Sequence, residues 1–213
     1  MMREKNCIGV LIFDRTKVAR AFSPEEIELA NSFCDQAVIA IQNVRLFNET
    51  QVSLARQTAS ADVLRVISQS PTEVKPVFEA IVQSAIDLIS CDKAVVIETD
   101  EVELWNTAVA DADGLSDVLH TQRHPVDPAD NLPSRVIISK KTAHNPDWSK
   151  SDLPEKDRKD LEGGRARATL ALPLLRGEKC LGVLVFVRNA PRAFNTDEIA
   201  MAQTFSDQAM IAI

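Results

Sequence analysis

The residues with the clearest claim to chemistry form one short run, His120-Thr-Gln-Arg-His124. Two imidazoles at i and i+4 share a helix face and could grip a transition metal. Pro125 follows at once, in a flank rich in Asp and Pro, which opposes a helix there, and no Cys or Glu is spaced to complete a ligand set. The run reads as a solvated loop, and no metal is assigned. Four cysteines, Cys7, Cys34, Cys91 and Cys180, stand far apart with no Cys-x-x-Cys pair, each in or beside an apolar stretch. That pattern predicts free, buried thiols in a reducing cytoplasm. No serine lies in Gly-x-Ser-x-Gly, which removes a common hydrolase nucleophile. Gly163-Gly164 precedes Arg165-Ala-Arg-Ala, not the Gly-Lys-Ser/Thr of a phosphate loop. None of His120, His124 and His144 is followed by the residues of a kinase phosphoacceptor box. The expectation is a chain with no catalytic residues, not an enzyme.

Composition narrows the partners. The chain has 213 residues, 45% of them hydrophobic, enough for one large or two small globular domains. Its net charge of −7 opposes binding to nucleic acid, whose phosphates it would repel, and to an anionic membrane surface. No apolar run approaches the roughly 18 residues of a membrane span, and the start MMREKN lacks the apolar core of a signal peptide. A cytoplasmic location follows as the expectation.

The elements that would position any site show themselves through a repeat. CIGVLIFDRTKVARAFSPEEIELANSFCDQAVIAI, from Cys7 to Ile41, returns as CLGVLVFVRNAPRAFNTDEIAMAQTFSDQAMIAI, from Cys180 to Ile213. With one single-residue gap, about 19 of 34 positions are identical, at an offset of about 172 residues. Each copy opens on an apolar, β-branched run that predicts a buried strand. Each continues into a helix start: Ser23 and Asn195 suit the N-cap, Pro24 the first helical position, and Glu26 and Glu198 the capping-box acid.

From Ser23 to Ser70 there is no Gly, and the only Pro is Pro24. A continuous helix of about 47 residues, some 70 Å long, is predicted. Phe33, Ala37, Ala40, Val44, Phe47, Gln51 and Leu54 follow heptad spacing, which weakens through Thr58 and Ala61. Such a seam suits a modest coiled-coil contact between two copies of the chain. The alternative is that these residues merely cover a sheet, although no small sheet covers so long a helix.

Pro71-Thr72 are expected to start the second copy, where an apolar stripe, Val74, Val77, Phe78, Ile81, Val82, Ala85, Leu88 and Ile89, predicts a helix. KAVVIET and VELWNTAV predict a hairpin turning at Asp100-Glu101, and 111–132 a long polar loop. SRVIISKK predicts a short helix, TAHNPDW a strand or turn, and PEKDRKDLEGG a charged helix stopped by glycine. ARATLALPLL and CLGVLVFV predict the last strand pair. The class is α+β: an antiparallel sheet of about six strands flanked by helices.

That order, with ARATLALPLLRGEKCLGVLVFVRNAPRAFNTDEIAMAQTFSDQAMIAI as a closing strand pair and helix, resembles the GAF domain family of bacterial signalling proteins. FCDQAVIAIQNVRLFNETQ followed by LARQTASADVLRVISQSP resembles the link between tandem GAF units in multi-GAF sensor histidine kinases and some adenylate cyclases. The resemblance implies that 1–45 is the C-terminal part of a first GAF domain, 46–70 a helical linker, and 71–213 a second GAF domain with its closing helix truncated. The first apolar strand, apart from its own sheet, is expected to pair with another chain, to swap, or to be disordered.

The resemblance also implies a non-catalytic regulatory module that relays a signal through a helical dimer interface, with a kinase or cyclase output domain as partner. Two alternatives stay open, a small-molecule receptor and a GAF-type redox enzyme. Some GAF domains bind cyclic nucleotides through an Asn-Lys…Phe-x3-Asp-Glu signature; here Asn189-Ala190…Phe194-x2-Asp197-Glu198 lacks the lysine and is short. No Cys lies beside a His as in bilin-type members, and no cofactor is assigned. Any small-molecule pocket is expected between the sheet and segment 111–163, with Trp105, His124, Asp147, Trp148 and Arg167 as candidate ligand-binding residues. His144, in His-x-Pro-Asp, is expected to be structural.

Overall fold

A computed structural model describes residues 2–3, 6–16, 20–69, 73–116 and 122–213. The chain divides into two compact units, Met1–Ala55 and Arg56–Ile213.

In the first unit, β1 (Met2–Arg3) pairs antiparallel with β2 (Asn6–Cys7). The strand expected across Cys7–Phe13 stops at Cys7, and 8–15 takes no regular secondary structure. The cause is visible in the repeat. The matching run of the second unit is paired on both sides from Gly182 to Phe186, whereas in this one, among the described residues, only Cys7 has a strand partner, and an isolated strand cannot hold its backbone groups out of water. For the same reason Cys7 is exposed and Cys34 half-exposed, which corrects the expectation of four buried thiols; Cys91 and Cys180 are buried. α1 runs Pro24–Gln69 without a break. Its start is capped as expected: Glu26 N donates to Ser23 Oγ at 3.3 Å, and Ser23 N to Glu26 Oε2 at 2.8 Å.

In the second unit, which opens on the last part of α1, the next helix is α2 (Lys75–Ile89), whose first turn holds Pro76. The expected start of the second copy at Pro71-Thr72 lies outside the described residues. The apolar stripe of α2 is fully buried at Phe78, Ile81, Val82 and Ala85. β3 (Lys93–Thr99) and β4 (Glu103–Asp111) form the expected hairpin. Its turn is held by Asp100 Oδ1, which accepts from Val102 N and Glu103 N, with Glu101 at φ 72°. The polar stretch after it is not wholly loop, because β5 (Gly114–Leu115) and β6 (His124–Pro125) both pair with β4.

α3 (Leu132–Ser139), β7 (Ala143–Asn145), a 3-10 turn at Trp148–Lys150 and α4 (Glu155–Glu162) follow. β8 (Ala168–Arg176), β9 (Lys179–Arg188) and α5 (Thr196–Ala212) close the unit. The antiparallel sheet has seven strands in the order β5-β4-β3-β9-β8-β7, with β6 beside β4. α2 and α5 cover one face, burying Phe78, Leu172, Phe186 and Phe205. α3 packs on the other, against Ile97, Val183 and Val185. β3 and β9 meet closely at Gly182, where a Cβ would stand 2.4 Å from the Ile97 carbonyl oxygen.

Candidate functional site

On the α3 side of the sheet lies a cavity of about 310 Å³, within the range of small-molecule sites. Its floor is β3 (Val95, Ile97), β9 (Val185, Val187), Thr169 of β8, and Leu104 and Asn106 of β4. The wall is built from the start of α3, the Trp148 turn, α4 and the stretch Arg165-Ala166, with His124 at β6. This is the place expected from sequence, between the sheet and segment 111–163.

Local bonds fix that wall. Asn131 caps α3, its Oδ1 accepting from Ser134 N at 2.9 Å. The Asp157 carboxylate accepts from Leu132 N at 2.6 Å, which ties α4 to the first turn of α3. Burial pushes the Asp157 carboxyl up to about 6, and the neighbouring Asp160 adds to the rise. Trp148 N donates to Arg167 O at 2.8 Å, and Arg167 N to Arg188 O at 2.7 Å, so the Trp148 turn hangs on the end of β9.

Two lining side chains are almost fully buried and yet keep a polar atom with no protein partner: Trp148 Nε1 and Thr169 Oγ1. Trp Nε1 is a donor only, so it calls for an acceptor. Lys93, Lys156 and Arg165 also line the cavity, against the carboxyls of Asp157 and Asp160. The arrangement can hold an apolar body between Trp148 and the valine floor, hydrogen-bond an acceptor group, and balance a negative charge.

Of the five residues proposed from sequence, His124 and Trp148 line the cavity; Trp105, Asp147 and Arg167 do not. Trp105 alternates to the face opposite Leu104 and Asn106. There its Nε1 donates to Glu98 Oε2 at 3.3 Å and the Arg123 guanidinium covers its ring at 4.1 Å. Asp147 caps the 3-10 turn, accepting from Ser149 N at 3.1 Å and Ser149 Oγ at 2.6 Å. Arg167 contributes backbone, and Arg165 enters the lining in its stead. Sequence reasoning missed Thr169 and Asp157. Thr169 had a signal, as the one polar side chain inside the apolar run ATLALPLL; Asp157, one acid in a charged helix, had none.

The residues nearest a cyclic-nucleotide signature are used structurally. Arg188, fully buried, donates from Nη2 to Ile89 O at 2.7 Å and Glu198 Oε1 at 2.6 Å, and from Nε to Ser90 O at 3.1 Å. Its Nη1 donates to Ala193 O at 2.8 Å, and its guanidinium lies 3.9 Å from the centre of the Phe194 ring. Phe194 N donates to His144 Nε2 at 3.1 Å, which gives His144 its structural role. Glu198 completes a capping box with Asn195. Phe194 and Glu198 thus belong to the lock between α2, β9 and α5, outside the cavity lining. Burial pushes the Cys91 thiol up to about 12 and raises that of Cys180, which opposes thiolate chemistry at both.

Along α1, Phe33, Val44, Phe47 and Leu54 are exposed, as is Ala40, and Ala37 is half-buried. His120 lies outside the described residues. Among the described residues, no group of three or more His, Cys, Asp or Glu is placed to hold a metal, and no helix is long and apolar enough to cross a membrane.

The sequence profile of the GAF domain matches residues 73–213. Solved structures share the fold. The GAF domain of an Acinetobacter phosphoenolpyruvate-protein phosphotransferase is 16% identical, with a TM-score of 0.59 over 74% of this chain and 91% of that one. The phycocyanobilin-bound GAF domain of a cyanobacterial phytochrome is 15% identical, with a TM-score of 0.60 over 74% and 92%. The GAF-B domain of DevS from Mycobacterium smegmatis is 25% identical, with a TM-score of 0.50 over 66% and 92%.

Proposed function

The chain belongs to the GAF domain family of signalling and sensory modules, and we propose that residues 73–213 are a non-catalytic sensor that holds a small molecule between its sheet and the α3–α4 wall. The observation that carries this reading is that two residues lining one cavity, Trp148 and Thr169, each keep a buried polar atom, Nε1 and Oγ1, that no protein group pairs. Leaving such groups unpaired costs about 1–3 kcal/mol each, which a ligand acceptor would recover. The ligand class is a small, largely apolar molecule with a hydrogen-bond acceptor and an acidic group, the last matched to Lys93 and Lys156, since Arg165 is paired with Asp160 at 2.9 Å. No cysteine lines the cavity, so attachment through sulfur is not part of the proposal.

The output of this sensor is a shift in helix packing. Val44, Phe47 and Leu54 present an apolar row on α1, and in this reading they form the seam of a parallel homodimer that biases a kinase or cyclase output domain. The test uses the full chain carrying Trp105→Phe, which leaves Trp148 as the only indole. A compound that raises the melting temperature is expected to quench Trp148 fluorescence saturably, and Thr169→Val to weaken it at least tenfold. Compounds that stabilise the chain while leaving Trp148 emission and Thr169→Val affinity unchanged would place the ligand elsewhere.

A further inference from the structure

The repeat carries an inference independent of the cavity. Its alignment sets Arg15, Phe22 and Glu26 against Arg188, Phe194 and Glu198, and the first unit rebuilds the same constellation. Arg15 Nη2 meets Glu26 Oε1 at 2.5 Å, and its guanidinium lies 4.4 Å from the centre of the Phe22 ring. What differs is the cover. Arg188 also donates to Ile89 O and Ser90 O at the end of α2, whereas Arg15 Nε is buried without a hydrogen-bond partner. Beside it runs an apolar groove of about 480 Å³ lined by Phe13, Phe22, Ile27, Leu29, Ala30 and Phe33. The counterparts of Phe13, Phe22 and Phe33 are Phe186, Phe194 and Phe205, packed in the core that α2 completes. Phe33 is 48% exposed where Phe205 is 0%.

We infer that this groove is a docking surface for an amphipathic helix of the α2 kind, seated so that the carbonyls of its last turn accept from Arg15. Both halves of the match are on the molecule. The groove wants an apolar stripe such as Phe78, Ile81, Val82 and Ala85 supply, and Arg15 Nε wants the free carbonyls of a helix C-terminus. Phe33 and Ala37 then belong to a core face, as Phe205 and Ala209 do, and a dimer seam on α1 begins beyond them.

The test adds a fluorescein-labelled peptide of residues 73–90, locked helical by a lactam between Lys75 and Glu79, to the full chain. These two side chains already stand at i, i+4. Saturable anisotropy is expected, with Arg15→Met and Phe33→Asp each weakening binding at least tenfold while circular dichroism stays unchanged. Phe33→Asp leaves the Arg15–Glu26 pair intact and so guards against loss of the α1 start. No saturable binding, or equal binding by all three proteins, overturns the inference. A chain dimer lost in Arg15→Met, with no peptide bound, also overturns it, by placing a second copy in the groove.

Discussion

Two titratable residues tie the cavity wall and the core to pH, with opposite signs. Asp157 titrates at about 6 in the folded protein and near 3.9 in the unfolded chain. Between those values the folded state keeps a proton that the unfolded state has lost, so stability falls as pH rises through that window. The cost of ionising Asp157 is no more than about 3 kcal/mol at neutral pH. Urea unfolding of Asp157→Asn is expected to lose this slope between about pH 4 and 6. Asp160, Lys156 and Arg135 act on the same carboxyl and set the size of the effect. Burial and Arg188 lower the His144 pKa. Below its unfolded pKa of about 6.5 the unfolded state binds the extra proton, so this contribution to stability is lost as pH falls through the folded pKa. Protonation would also cost Nε2 its role as acceptor for Phe194 N. Arg188→Met is expected to destabilise the second unit by about 3–5 kcal/mol in urea melts, because Glu198 and two helix carbonyls lose a buried partner. Arg15→Met, whose partner Glu26 is solvent-reached and also paired with Arg20, should move the midpoint far less.

Elements were legible in proportion to how local their causes are. Both capping boxes, the Asp100-Glu101 hairpin and the glycine stop after α4 were readable, since each needs residues three or four apart. α1 was readable from 46 residues without Gly or an internal Pro. Residues 8–15 were not, because a strand is made by its neighbours, and the same apolar word is strand in one copy and irregular in the other. Amide exchange should record this: slow at 182–187, which is paired on both sides, and fast at 8–15. Gly182→Ala is expected to lower the melting temperature, since the new methyl would meet the Ile97 carbonyl and force β3 and β9 apart. At α1, Phe47→Cys should form an interchain disulfide on mild oxidation at micromolar concentration. No crosslink at positions 44, 47 and 54 in turn would remove the dimer seam.

For the molecule as a whole, the family and the α+β sheet were within reach of the sequence, because a repeated strand–helix word and the order of elements determine them. The cavity's general place was also within reach, but most of its lining was not. Trp105, Asp147 and Arg167 are polar or aromatic residues near the right strands and turns, yet alternation and capping point them elsewhere. Thr169, Asp157 and Arg165 enter through pairings between segments remote in sequence. The central claim is that this cavity is a small-molecule site. Native mass spectrometry of the full chain, purified without denaturant, tests it most directly. The expected result is a stoichiometric small-molecule adduct that disappears in the Trp148→Phe, Thr169→Val double variant. A bare mass for the parent chain, joined by no compound from a metabolite extract, would contradict it.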